Sequence, residues 1–152
     1  MLPTPTRYTL TSGHAEGINE LTAFDVALID AGIGNLNLVR VTSIIPPAAV
    51  YQERLEIPRG SLVPTAYSVI TSNMPGERIA AGVGVATAAD GFGVIMEYSL
   101  KGQAADADAT LRQMLTGAFL VRGLTMDQMM IRTAEHRVDR HGCAVAAVPL
   151  WY

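Results

Sequence analysis

From Leu36 to the end, the sequence keeps returning to short Val- and Ile-rich runs cut by glycine- and proline-bearing turns. Branched side chains favour pleated strands, and Gly, Pro, Asn and Asp supply the turns between them. Strands are expected over Leu36–Ile45, stopped by Pro46-Pro47, then over Ser61–Ser72, Arg78–Thr87 and Gly93–Leu100. A final pair, Met129–Val138 and Cys143–Trp151, is expected around His141-Gly142. Gly82 and Gly84 fall inside one of these runs. Glycine weakens a strand unless a bulge or a close approach requires it there.

Two stretches have helical spacing instead. Phe24, Ala27, Leu28 and Ala31 form one apolar stripe, so Thr22–Ala31 is expected as a helix with Thr22 as N-cap, Asp25 three residues on, and Gly32 as its stop. Ala104–Arg122 is the clearest helix, with Leu111, Met114, Leu115, Ala118 and Phe119 on one face and Gly123 after it. Asp106 and Asp108 near its start and Arg122 near its end complement the helix dipole. Two helices among about six mostly consecutive strands argue for an α+β layered domain over a doubly wound α/β sheet. A length of 152 residues suits a single domain, 1–152, with one core.

Hydrophobic residues make up 49% of the chain and charged residues 16%. Some of that apolar surface is expected to lie between subunits, because soluble monomers rarely expose large apolar patches. The net charge of −3 with scattered Lys and Arg gives no electrostatic footprint for nucleic acid or anionic lipid. No apolar run approaches the roughly 20 residues of a membrane span. Met1–Leu10 lacks the apolar core of a signal peptide, so a cytoplasmic location is expected. Cys143 is the single cysteine, which excludes an intrachain disulfide, and its apolar run Cys143–Val148 points to an inert buried thiol. His14, His136 and His141 are scattered without metal-ligand spacing; they read as structural or surface residues, and no metal is expected. Gly32-Ile-Gly34 lacks a third glycine and follows a helix instead of opening one, so it is not a dinucleotide loop.

By residue type alone, Thr42-Ser43 is an ordinary polar pair in a strand. Glu97 could be a solvated carboxylate, Asn37 a polar strand end, and Asp25 the third residue of a capping box with Thr22. A longer pattern changes that reading. The segment Ala23-Phe-Asp-Val-Ala-Leu-Ile-Asp-Ala-Gly-Ile-Gly-Asn-Leu-Asn-Leu-Val-Arg-Val-Thr-Ser-Ile-Ile-Pro-Pro47 closely resembles the pyruvoyl-dependent arginine decarboxylases. So do Gly60-Ser-Leu-Val-Pro-Thr-Ala-Tyr67, Val94-Ile-Met-Glu-Tyr98 and the ending from Gly142-Cys-Ala to Leu150-Trp-Tyr152. The order and spacing hold from about Gly13 onward. The stretch before Gly13, Tyr51–Arg59 and Ser99–Asp108 are not distinctive.

The resemblance implies an αββα sandwich of mainly antiparallel sheets, assembled as a homotrimer or a pair of trimers with active sites between subunits. It implies self-cleavage between Thr42 and Ser43 into residues 1–42 and 43–152, with Ser43 becoming a covalent pyruvoyl group. That group would bind the amino acid, by expectation L-arginine, as an imine and release carbon dioxide and agmatine. Glu97 would then return the proton to Cα, Asn37 would orient groups near the pyruvoyl, and Asp25 would hold the substrate guanidinium. Ile95 and Met96 beside Glu97 promise an apolar setting that favours the neutral acid. Asn37 and Ser43 are too far apart along one straight strand to meet, so Asn37 is expected to serve another subunit's Ser43. No pyridoxal phosphate is expected: the sole lysine, Lys101, precedes Gly102 and reads as a surface turn residue. Two alternatives stay open: an oligomeric homologue that folds but never cleaves, and the same chemistry on another amino acid.

Overall fold

The computed structural model describes residues 1–152. Its elements are β1 (Arg7–Tyr8), β2 (Thr11–Glu16), α1 (Glu20–Asp30), β3 (Asn37–Arg40), β4 (Ile44–Ile45), β5 (Val50–Tyr51), β6 (Leu62–Ser72), β7 (Arg78–Thr87), β8 (Gly93–Lys101), α2 (Ala104–Arg122), β9 (Gln128–Arg137) and β10 (Gly142–Trp151). One sheet runs β3-β6-β10-β1-β5, with β2 also paired to β10. The other runs β4-β8-β7-β9 and is antiparallel throughout. Only β1–β5 and β3–β6 are parallel pairs.

The two sheets face each other across the main core, built from Ile79, Val83, Val85 and Ile95 on one side and Ala66, Ala144, Ala146 and Val148 on the other. α1 covers the outer face of the first sheet through Ala23 and Ala27 against Cys143, Val145 and Ala147. α2 covers the outer face of the second through Leu115 and Phe119 against Ala86 and Val94. The expected αββα layering is therefore present. The central strands β7 and β10 are buried almost end to end, which is why their sequences are continuously small and apolar with no polar alternation.

Small residues set the layer spacing. A Cβ on Gly82 would come within 2.7 Å of Leu111 Cδ1, and one on Gly84 within 2.7 Å of Leu115 Cδ1. These glycines let α2 lie close on β7. Gly13 on β2 does the same for α1: a Cβ there would meet the Ala31 backbone nitrogen at 2.6 Å. Polar ties cross the sandwich as well. The Ser68 hydroxyl donates to the Gly82 carbonyl at 2.8 Å, and the Ser12 hydroxyl to the Thr133 carbonyl at 3.0 Å.

Three expectations are corrected. The expected strand Leu36–Ile45 is two strands, because the chain leaves the first sheet after Arg40 and enters the second at Ile44. α1 begins earlier than expected. Asn19 is its N-cap, accepting the Thr22 N–H at 2.9 Å while the Thr22 hydroxyl accepts the Asn19 N–H at 3.1 Å. Thr22 is thus the third residue of the capping box, and Asp25 lies outside it. The last two strands do not pair with each other: β9 edges the second sheet and β10 is central in the first. Strands β1, β2 and β5 carried no clear sequence signal, being very short or, in Thr11–Glu16, nearly without branched residues. No helix is long and apolar enough to cross a membrane.

Glu16 fastens the link between β9 and β10. Its carboxylate accepts the backbone N–H groups of Asp139, Arg140 and His141 and contacts His136 Nε2 at 2.7 Å. His136 Nδ1 meets His14 Nδ1 at 2.9 Å, joining the neighbouring edges of the two sheets. Partial burial pushes the Glu16 carboxyl up, but the three backbone donors and His136 outweigh it and hold it at about 2.

Gly13→Ala is expected to destabilise by about 2 kcal/mol or more, because backbone must move, whereas Gly117→Ala on open α2 surface is expected to stabilise by about 0.5 kcal/mol. Urea unfolding of both variants measures the contrast. The depressed Glu16 carboxyl stabilises the fold above its ordinary 4.5, and that contribution is lost as pH falls from there towards about 2. Glu16→Gln should remove this part of the acid dependence in unfolding midpoints taken between those pH values.

Candidate active site

The change of sheet leaves Thr42 exposed between half-buried Val41 and Ser43. Val41 is still tied to the first sheet, its N–H donating to the Thr65 carbonyl at 3.2 Å. Ser43 is already tied to the second, its carbonyl accepting the Ile95 N–H at 2.7 Å. Thr42 between them is exposed and takes no part in the backbone hydrogen-bond network. A peptide held at both flanks with its own carbonyl free is accessible to a nucleophile.

The β4–β8 register pairs Ile44 with Val94, which sets Ser43 beside Ile95. Glu97 lies two residues further along β8, on the same face as Ile95, about 7 Å along the strand. Its carboxylate borders a cavity of about 240 Å³ lined by Arg40, Tyr67, Ser68, Val69, Glu97, Tyr98 and Ser99. Oε1 accepts from Arg40 Nη1 at 3.2 Å, while Oε2 is buried with no partner. The Arg40 guanidinium lies over the Tyr67 ring, 3.9 Å from its centre. Burial pushes the Glu97 carboxyl above its ordinary value, with Arg40 and the Tyr67 backbone opposing the rise. Burial thus acts on Glu97 in the direction its apolar neighbours promised, and the setting also contains a cation that the strand pattern did not reveal.

The other expected residues stand apart from this cavity. Asn37, at the start of β3, is exposed and donates from Nδ2 to the Gly60 carbonyl at 2.9 Å. Asp25 is exposed on the outer face of α1. The chain thus brings Ser43 and Glu97 near one another and directs Asn37 and Asp25 elsewhere. A larger cavity of about 650 Å³, between the end of α1 and the segment Glu53–Arg59, includes none of the expected residues.

Arg40 and Tyr67 were not singled out from the sequence. Both sit in segments that carry the resemblance, and Arg40 shares the strand alternation of Asn37's neighbour Leu38, so only its reach around the sheet edge was hidden. Cys143 is fully buried beneath α1, and burial with the nearby Glu20 charge pushes its thiol up to about 12, in line with an inert thiol. Lys101 is exposed and pairs with Glu77 at 3.5 Å. No three His, Cys, Asp or Glu side chains cluster as metal ligands would.

The wall of this small cavity thus holds a buried carboxylate oxygen without a partner, on the strand that also binds the Ser43 carbonyl. Comparison with known proteins identifies the family. The sequence profile described as pyruvoyl-dependent arginine decarboxylase matches residues 7–152. A protein of Methanocaldococcus jannaschii named pyruvoyl-dependent arginine decarboxylase is 45% identical over 150 residues, covering 97% of this chain and 91% of that protein. One of the same name from Methanococcus maripaludis is 43% identical, covering 97% and 92%. Another from Pyrococcus furiosus is 39% identical over 153 residues, covering 97% and 96%. With identity at this level over nearly the full length of each chain, this protein belongs to the pyruvoyl-dependent arginine decarboxylase family.

Proposed function

We propose that the chain cuts itself between Thr42 and Ser43 and then decarboxylates L-arginine to agmatine and carbon dioxide. The observation that carries this reading is the β4–β8 register. It ties the Ser43 carbonyl to Ile95 and sets Glu97 two residues away on the same face. Family membership and the names of its relatives support arginine as the substrate.

The cut uses only this chain's atoms and one water. Ser43 Oγ attacks the Thr42 carbonyl carbon, so the acyl group passes from nitrogen to oxygen. The Ser43 Cα proton is then lost to a base as the Cβ–Oγ bond breaks, leaving Thr42 with a free carboxylate and residue 43 as dehydroalanine. Residue 43 takes up water and releases ammonia to become the pyruvoyl group. That group supplies the electron sink that accepts the bonding pair left when carbon dioxide departs. Glu97 is the acid that protonates Cα; burial raises its proton affinity in the direction this requires.

Asp25 provides a carboxylate able to take the two-pronged fork of a guanidinium, and Asn37 an amide for orientation. In one copy both lie away from Ser43, which supports a site completed by a neighbouring copy in a homotrimer or a pair of trimers. Exposed apolar side chains on α1 (Leu21, Val26, Ile29) and on the β3–β4 edge (Val39, Ile44) supply surface for such contacts. The exposed, ion-paired position of Lys101 fits chemistry that does without pyridoxal phosphate.

Intact-mass spectrometry is expected to find two fragments, residues 1–42 and 43–152, in particles of three or six copies. Labelled carbon dioxide should appear from arginine well ahead of lysine and ornithine. One uncut chain, or no preference for arginine, counts against the reading. Glu97→Gln is expected to cut normally but turn over at least about 100-fold more slowly. Asp25→Ala should raise KM for arginine about tenfold or more with cutting intact, read from initial rates and fragment yield.

A further inference from the structure

The Arg40–Glu97 ion pair conflicts with the role just given to Glu97. A proton donor must hold a proton at the working pH, and a guanidinium 3.2 Å away favours the carboxylate instead. The pair is nonetheless loosely made. Only Oε1 is engaged, Oε2 is buried without a partner, and the Arg40 side chain is 50% exposed. Arg40 is anchored through the Tyr67 ring instead, which leaves its nitrogens free to change partners.

Its position in the chain supplies the alternative partner. Arg40 stands two residues before the scissile bond. Cα atoms two residues apart are at most roughly 7 Å from each other, within reach of an arginine side chain. In the uncut chain the Thr42 carbonyl is part of a neutral amide. The cut turns it into a terminal carboxylate, in an exposed position, and more acidic by nature than a half-buried glutamate.

We propose that Arg40 is a charge switch on Glu97. In the uncut chain its guanidinium keeps Glu97 ionised, and the carboxylate created on Thr42 by cleavage draws the guanidinium away, leaving Glu97 free to take up and donate a proton. The switch rests on the proposed cut and on Glu97 as the proton donor. It makes Arg40 a positioning residue whose effect is timed by processing, so that the acid is armed only when the pyruvoyl group exists.

No other group facing Glu97 can do this. β6 presents Tyr67 and Ser68, and β8 presents Ile95 and Ser99 on the same face. β7 presents Val83, and beyond it β9 carries Arg132, about 10 Å from Glu97 by two strand spacings. Apart from Glu97, no carboxylate lines the cavity, and Arg132 lies outside it.

The test is a titration of Glu97 by carbon-13 NMR of glutamate-labelled full-length protein, with Glu97→Gln to assign the signal. The cut enzyme is compared with the uncut Ser43→Ala chain. The midpoint is expected about one pH unit or more higher in the cut enzyme. Adding Arg40→Gln to the Ser43→Ala chain should raise its midpoint to the cut value, whereas Arg40→Lys, which keeps the charge, should leave it lower. Equal midpoints in cut and uncut protein, or no response to Arg40→Gln, overturn the switch. Wild-type chain that never cuts overturns the proposed function as well; chain that cuts without moving the midpoint overturns the switch alone.

Discussion

A backbone that changes sheets must find new hydrogen-bond partners within a residue or two, since buried N–H and C=O groups cannot be left unpaired. Here Val41 keeps a bond to Thr65 in the first sheet and Ser43 takes one from Ile95 in the second. Everything distinctive about the chain follows from that handover. It splits one β-branched run into β3 and β4 and fixes the register of β4 on β8. It also leaves Thr42 as the one residue of the crossing that neither sheet claims.

The same handover opens the edge of the sandwich, and that opening decides the electrostatics. Within the core, Val83, Val85 and Ile95 are dry, and a carboxylate among them would be costly. At the edge, where β3 ends, Glu97 keeps 32% of its side chain accessible and meets an arginine from the opposite sheet. Burial and the cation act on its proton affinity in opposite directions.

Much of the architecture was legible in the sequence because its cause is local. Arg78–Thr87 and Ala104–Arg122 carry their patterns to the last residue, and Gly82 and Gly84 marked either a bulge or a close neighbour, which proved to be α2. What was not legible depends on distant partners. Nothing in Val39-Arg-Val-Thr-Ser-Ile-Ile45 marks the point where one sheet gives way to another, because branched residues suit either. Asn19 outcompeted Thr22 as the cap through a reciprocal pair of bonds, which a residue-by-residue reading does not weigh. For the site, the family pattern pointed to Ser43 and Glu97, but the Arg40 contact spans 57 positions in sequence and arises only from the docking of two sheets.

The pairing of strands has a thermodynamic consequence for a chain severed after Thr42. Residues 1–42 contribute β1, β2, α1 and β3, and each strand among them lies against β5, β6 or β10 of the remainder. The fold would survive the break as a complex of two polypeptides, held by strand ladders and by α1 seated on Cys143, Val145 and Ala147. Its unfolding would then release separate molecules, so its melting would depend on concentration, as dissociation equilibria do. The short piece would behave as a tightly held ligand of the long one.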